Sequence, residues 1–162
     1  MITFFITGGT IDGIDYKNES EAPKNPKSNI PDFLKQVQIT EPCVSEILFL
    51  KDSRFVNDND RSIIADKCAT SSSEHIIVTH GSFTMVKTAT YLAHKQLPKT
   101  IVLVGSKTPA TEPQSDALQN LRFAVEEVQK LSHGVYIVMQ SRIFNWDNAR
   151  KNLSTGEFEE LK

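Results

Sequence analysis

Cysteine is scarce in this chain. Among 162 residues only Cys43 and Cys68 carry a thiol, with neither a Cys-x-x-Cys pair nor the clustered histidines of a zinc site, so metal and redox chemistry are set aside. Both cysteines read as small, buried, apolar residues. An excess of positive charge is also lacking. The 18 basic and 20 acidic residues are well mixed and sum to −2, which leaves no polybasic stripe to follow a phosphate backbone and excludes nucleic acid as a partner. No apolar run approaches the ~20 residues that span a bilayer, and the chain starts its first strand at once, without space for a signal peptide. The expectation is a cytoplasmic protein that works in a reducing compartment and does not enter a membrane.

Nucleotide and acyl-transfer signatures are missing as well. In "TGGTIDG" (7–13), Gly8, Gly9 and Gly13 stand at the wrong offsets for G-x-G-x-x-G, and neither G-x-x-x-x-G-K-[ST] nor a G-x-S-x-G elbow occurs. His80 falls at the junction of a strand and a loop, where a histidine more often structures a turn than serves a triad. What remains for chemistry is a hydroxyl nucleophile activated without histidine, by a lysine, a tyrosine or a carboxylate.

What is present is a regular alternation. Five apolar, β-rich runs, "ITFFI" (2–6), "EILFL" (46–50), "HIIVT" (75–79), "TIVLV" (100–104) and "VYIVMQ" (135–140), are nearly continuous in apolarity, as strands covered on both faces are. Helical segments separate them. Ser28 is placed to cap "NIPDFLKQVQ", and Asn57 or Asp58 to cap the next helix. Over 115–131, Leu118, Leu121, Val125 and Val128 repeat at three- and four-residue steps, the mark of one buried helix face. The pattern predicts a single α/β domain over 1–162, with a doubly wound, mainly parallel, five-stranded sheet in the flavodoxin-like order 2-1-3-4-5.

Ligands on such sheets sit beyond the carboxyl ends of the strands. Those ends read Thr7-Gly8-Gly9-Thr10, Lys51-Asp52-Ser53-Arg54, Thr79-His80-Gly81-Ser82-Phe83-Thr84 and Gly105-Ser106-Lys107-Thr108-Pro109. Glycines there let backbone N–H groups approach a small anion or carboxylate, although each piece alone is as well explained by a turn or a helix cap. The polar loop of about twenty residues after Thr10 is far longer than the usual ~2–6 and suits a lid. Asp12 and Asp15 within it read as solvated, with Asp52 a cap or an orienting group and Asp116 a helix-dipole or substrate-side carboxylate.

Two segments, "ITGGTI" (6–11) and "VTHGSFTM" (78–85), resemble the signatures TGGTI and HGTDTM of the bacterial-type L-asparaginase and glutaminase family. "KDSRFVNDNDRSIIADKC" (51–68) and "IVLVGSKTPATEPQSDALQNLRFAV" (101–125) are similar to two further family segments, in the same order. The resemblance implies an amidohydrolase of asparagine or a related small amide, with no metal or cofactor. Thr10 would be the nucleophile, Tyr16 the lid tyrosine that activates it, and Ser82 the second catalytic hydroxyl. Ser53 would bind the substrate's α-carboxylate and Arg54 would occupy the next substrate-side position, with the backbone of Gly9 and Gly81 close by. Phe83 stands where the family aspartate holds the substrate ammonium, so it lines the substrate position without that charge, for which Asp12 or Asp15 of the long loop could stand in. At the spacing of the family lysine stands Arg150, whose permanent charge cannot relay a proton, so Lys151 is expected to reach the site instead. The family's second domain is not encoded in 1–162, and a homodimer or larger homo-oligomer is expected. Phe83, Arg150 and the missing domain leave open a second function, a small-ligand binding or regulatory module with weak or no turnover. A flavin or phosphate binder ranks below both.

Overall fold

The computed structural model describes residues 1–162. The five expected strands form, as β1 (Ile2–Gly8), β2 (Cys43–Lys51), β3 (His75–Thr79), β4 (Thr100–Val104) and β5 (Gly134–Met139), interleaved with helices α1 (Ile30–Val37), α2 (Asp58–Thr70), α3 (Met85–Ala93) and α4 (Ala117–Val128). They pair in parallel in the order β2-β1-β3-β4-β5. Because strand residues alternate between faces, each strand feeds two cores. Phe4, Ile6, Ile77, Val102 and Val138 pack toward α1 and α4, whereas Phe5, Val78, Leu103 and Ile137 join the cluster that includes residues of α2 and α3. The α4 face is as expected, with Leu121, Val125 and Val128 buried in the first of these cores.

The sheet has six strands rather than five. A short β6 (Arg142–Asn145) pairs antiparallel with β5 and closes that edge. Its hairpin turns through Gln140 and Ser141, with φ of 58° and 50°, conformations usually announced by Asn-Gly or Asp-Gly, so the turn had no sequence signal. A separate ribbon of β7 (Arg150–Lys151) and β8 (Phe158–Glu159) follows.

Three other expectations are corrected. β2 is an edge strand left open on both faces at its start, where Val44 and Ile47 are 50% and 49% exposed. Cys43 therefore lies on the surface. Only Cys68 is buried, and burial pushes its thiol up to about 12. At α1 the N-cap position is Asn29, without a side-chain bond, while Ser28 Oγ still accepts from Ile30 N at 3.1 Å. Asn57 does cap α2, in a reciprocal box with Asp60. Asp12 is not solvated: it is 2% exposed, accepting from Ser28 Oγ at 2.5 Å and Asn29 N at 2.6 Å. These bonds stitch the long first loop to the start of α1. Desolvation nevertheless dominates, and holds the Asp12 carboxyl above its ordinary range.

Candidate active site

The carboxyl ends of β1, β2 and β3 meet through their glycines. Gly9 has φ of 85°, and a Cβ there would lie 2.4 Å from Gly81 Cα and N. A Cβ on Gly81 would in turn come within 2.7 Å of the Ser53 side chain. Only hydrogen at both positions lets the three loops stack. Thr10 and Ser82, each next in the chain, are thereby carried to the same edge of the sheet.

The two threonines of the first loop divide their work. Thr7 is buried and its hydroxyl donates to Thr79 O at 2.6 Å, which ties β1 to β3. No hydrogen bond engages the Thr10 hydroxyl, and the residue is only half-buried. Thr10 is the one whose oxygen is available.

Ser53 is almost fully buried. Its Oγ accepts from Thr84 N at 3.3 Å and its carbonyl from Thr84 Oγ1 at 2.7 Å, so the ends of β2 and β3 are cross-linked by a threonine that sequence reasoning passed over. Asp52 proves to be an organiser: it caps the turn at Arg54 N (2.9 Å), accepts from Tyr16 N (2.8 Å) and pairs with Arg54 Nη1 (2.6 Å). Arg54 Nη1 also reaches Asp15 Oδ1 and Tyr16 O, both at 3.1 Å. With Tyr16 stacked on Phe55 at 5.3 Å between centroids, the long first loop is clamped over the end of β2.

Lys151 lies within the site and Arg150 does not. Neighbours on a strand face opposite ways, and in β7 Arg150 turns out to pair with Glu159 at 2.7 Å while Lys151 Nζ donates to Ser82 Oγ at 2.8 Å. The ribbon is held in place by Gln140, whose Nε2 donates to Phe158 O at 3.0 Å and whose Oε1 accepts from Phe158 N. Burial first, then the charge of Arg54, lower the Lys151 ammonium below the ordinary lysine range, against the opposing pull of Asp15 and Asp52. Phe83, 47% exposed, touches both cations: its ring centroid is 3.8 Å from Arg54 Cζ and 3.9 Å from Lys151 Nζ.

Behind this surface runs a buried polar chain. His80 Nδ1 lies 2.7 Å from Gly81 O, and since a carbonyl only accepts, Nδ1 carries the proton. Nε2 then accepts from Thr88 Oγ1 at 2.9 Å, and Thr88 accepts from Arg61 Nε at 3.0 Å. Arg61, 2% exposed, also donates to Val56 O at 3.1 Å. The histidine thus structures the turn carrying Gly81 and Ser82, as its place in the sequence suggested. Desolvation, reinforced by Arg61, lowers His80 to about 4. Between pH 6.5 and 4 the unfolded chain binds a proton at this residue that the folded chain refuses, so stability falls as pH drops through that window, by about 3 kcal/mol, and levels below it. Melting temperatures across the window should show this fall, and His80→Gln should flatten it.

Beyond β4 and β5 a cavity of about 260 Å³ is lined by Lys107, Thr108, Gln114, Asp116, Gln140 and Glu157. Asp116 there accepts from Lys107 N, Thr108 N and Asn120 Nδ2, which makes it a loop anchor. Asn120, fully buried, joins Gly105 O to Ser141 N and so links the end of β4 to the β5–β6 turn. Trp146 packs edge-on against His94. No three His, Cys, Asp or Glu side chains converge into a metal-binding group.

A family model for the asparaginase N-terminal domain matches residues 1–159. The chain belongs to the asparaginase family. It is similar to a probable periplasmic L-asparaginase of Haemophilus influenzae, 28% identical over 95% of this chain and 47% of that protein. It is also similar to a glutamyl-tRNA(Gln) amidotransferase component of Metallosphaera sedula, 31% identical over 82% of this chain and 31% of that one. Among solved structures, the thermostable L-asparaginase from Thermococcus kodakarensis superposes with a TM-score of 0.81 and 28% identity, over 99% of this chain and 51% of that one. The chain thus spans about half the length, or less, of the relatives it matches. Within this asparaginase-type domain the order of the five parallel strands agrees with the expectation.

Proposed function

We propose that the chain hydrolyses the side-chain amide of asparagine or a related small molecule through a threonine nucleophile. The observation that carries the reading is the 2.8 Å contact of Lys151 Nζ with Ser82 Oγ, beside the Gly9–Gly81 contact that brings Thr10 to the same edge. Thr10 Oγ1 attacks the amide carbon, its proton passing to the Ser82–Lys151 pair. The C–N bond breaks, that proton leaves with ammonia, and an acyl-threonine forms. Water then attacks the ester, the acid departs, and the hydroxyl of Thr10 is restored. Tyr16 closes the lid and fixes the loop that presents Thr10. Ser53 and Arg54 hold the carboxylate side. The chemistry requires only side chains.

A coupled assay for ammonia across a panel of aliphatic amides tests the reading, with turnover of at least one amide as the expected result. Lys151 must be neutral to accept a proton, so the rate should rise with pH through a value below the ordinary lysine pKa, and Lys151→Met should remove that limb of the profile. A second reading, a binding module with little turnover, draws on the half-exposed Phe83 at the substrate position. Ligand-induced thermal shifts without ammonia release would select it. The proposed compartment is the cytoplasm, consistent with the surface thiol of Cys43, although the Haemophilus relative is named periplasmic. A homodimer or larger assembly is proposed for the working form, to be checked by light scattering.

A further inference from the structure

The ribbon that carries Lys151 has no backbone bond to the sheet it lies against. Strands β7 and β8 pair only with each other, and the segment's two further main-chain bonds, Asn152 N to Glu157 O and Gly156 N to Asn152 O, also stay within it. Ala149 and Phe158 are buried, the latter with Phe144 at 6.3 Å between ring centroids. These anchors set the depth of the ribbon and not its rotation, because apolar contact has no direction. One flank borders open space, for the cavity of about 260 Å³ is lined by Gly156 and Glu157 on the ribbon's side and by Lys107 and Gln114 on the other. The exposed ion pairs Lys107–Glu157 and Arg142–Glu160, both at 3.6 Å, add little.

A directional hold comes from Gln140, at the end of β5. Its Nε2 donates to Phe158 O at 3.0 Å and its Oε1 accepts from Phe158 N, so one side-chain amide stands in for the missing neighbour strand. Phe158 is the register partner of Lys151, which places this hold directly across the ribbon from the lysine. Gln140 also keeps a φ of 58° in a two-residue turn that asparagine would suit better. Asparagine there would stop one methylene short of Phe158. A strained backbone position filled by a residue the turn does not favour points to a task for the side chain.

We propose that Gln140 is a positioning residue, whose amide fixes β8 at Phe158 and thereby sets Lys151 Nζ at 2.8 Å from Ser82 Oγ. Its effect on rate rests on the hydrolase reading, whereas the placement of Lys151 is measurable without turnover. Lys151 is faced by Arg54 and Asp52 from the end of β2, by Asp15 from the first loop, and by Ser82 and Phe83 from the end of β3. Arg150 and Glu159 of the ribbon pair with each other. Burial is the strongest of the influences on Lys151 and favours the neutral amine. A ribbon freed from Gln140 lets water back to the amine, and its titration moves up toward the ordinary lysine range.

NMR of the Lys151 Cε carbon, assigned by its loss in Lys151→Arg, follows that titration directly. Gln140→Asn is the most telling variant, since it serves the turn and withdraws the hold. Its melting temperature should stay within about 3 °C of the parent, while Lys151 titrates at higher pH. Near neutral pH kcat should fall about tenfold or more with KM little changed, and part of the loss should return as pH rises. Gln140→Met, of similar length but without the amide, should displace the Lys151 titration in the same direction. Arg150→Met, which removes only the exposed pair with Glu159, should leave it in place. An unmoved titration in both Gln140 variants would overturn the inference, as would an equal displacement in Arg150→Met. A displaced titration in a protein that hydrolyses no amide would keep the positioning role and remove the hydrolase reading.

Discussion

On the proposed mechanism Thr10→Ala is expected to lower ammonia release by roughly 10³-fold or more in kcat, because removing the proposed nucleophile leaves only binding and electrostatic help. KM should change little, since the hydroxyl contributes to bond formation rather than to holding the carboxylate. The fold should not suffer. Thr10 Oγ1 is bonded to nothing in the chain, so the melting temperature should stay within about 2 °C of the parent. Thr7→Ala makes the reciprocal control. It deletes a buried hydroxyl that joins β1 to β3 and should destabilise the protein by about 1–2 kcal/mol. If Thr10→Ala kept parental turnover, the nucleophile would have to be sought at Ser82, whose Oγ has Lys151 at 2.8 Å.

Gly9→Ala is expected to have the largest effect on stability. Its φ of 85° and ψ of 175° belong to a region open in practice to glycine alone, which costs an alanine about 1–3 kcal/mol. The new methyl would also press on Gly81 backbone at 2.4 Å, where neither loop can yield without moving Ser53, and overpacking adds about 1–3 kcal/mol. Together, about 2–6 kcal/mol in a chain of this size lowers the melting temperature by roughly 5–20 °C. Activity should fall even below that transition, since the same displacement separates the loops that carry Thr10 and Ser82. A melting temperature within about 2 °C of the parent would show that the loops are not in register as described.

Much of this architecture was legible because its signals are local. A short run such as "TIVLV", rich in β-branched residues and followed by a glycine, reads as a covered strand, and the helical repeat of Leu121, Val125 and Val128 needs no knowledge of what covers it. The strand-end glycines and hydroxyls could be found for the same reason, and the family motifs gave them order. The misreadings were of a different kind. Cys43 read as buried on its residue type alone, yet it opens the edge strand β2, where its side chain is exposed. The β5–β6 turn is built by Gln140 and Ser141, residues that do not announce a positive φ. Asp12 looked solvated in a polar loop, and became buried because that loop folds back onto the start of α1.

By itself, then, the amino-acid order settled the alternation of strand and helix and the identity of the hydroxyls at the strand ends, since each follows from residue types within one turn or one strand, while the strand order was expected from the way such an alternation winds. Only the tertiary structure decided which of Arg150 and Lys151 meets Ser82, that Asp52 and Arg54 clamp the long first loop, and that Thr88 and Arg61 back His80. Those outcomes depend on which side of a two-residue ribbon faces the sheet and on which loops touch, and such through-space relations between residues as far apart as Ser82 and Lys151 leave no trace in local spacing.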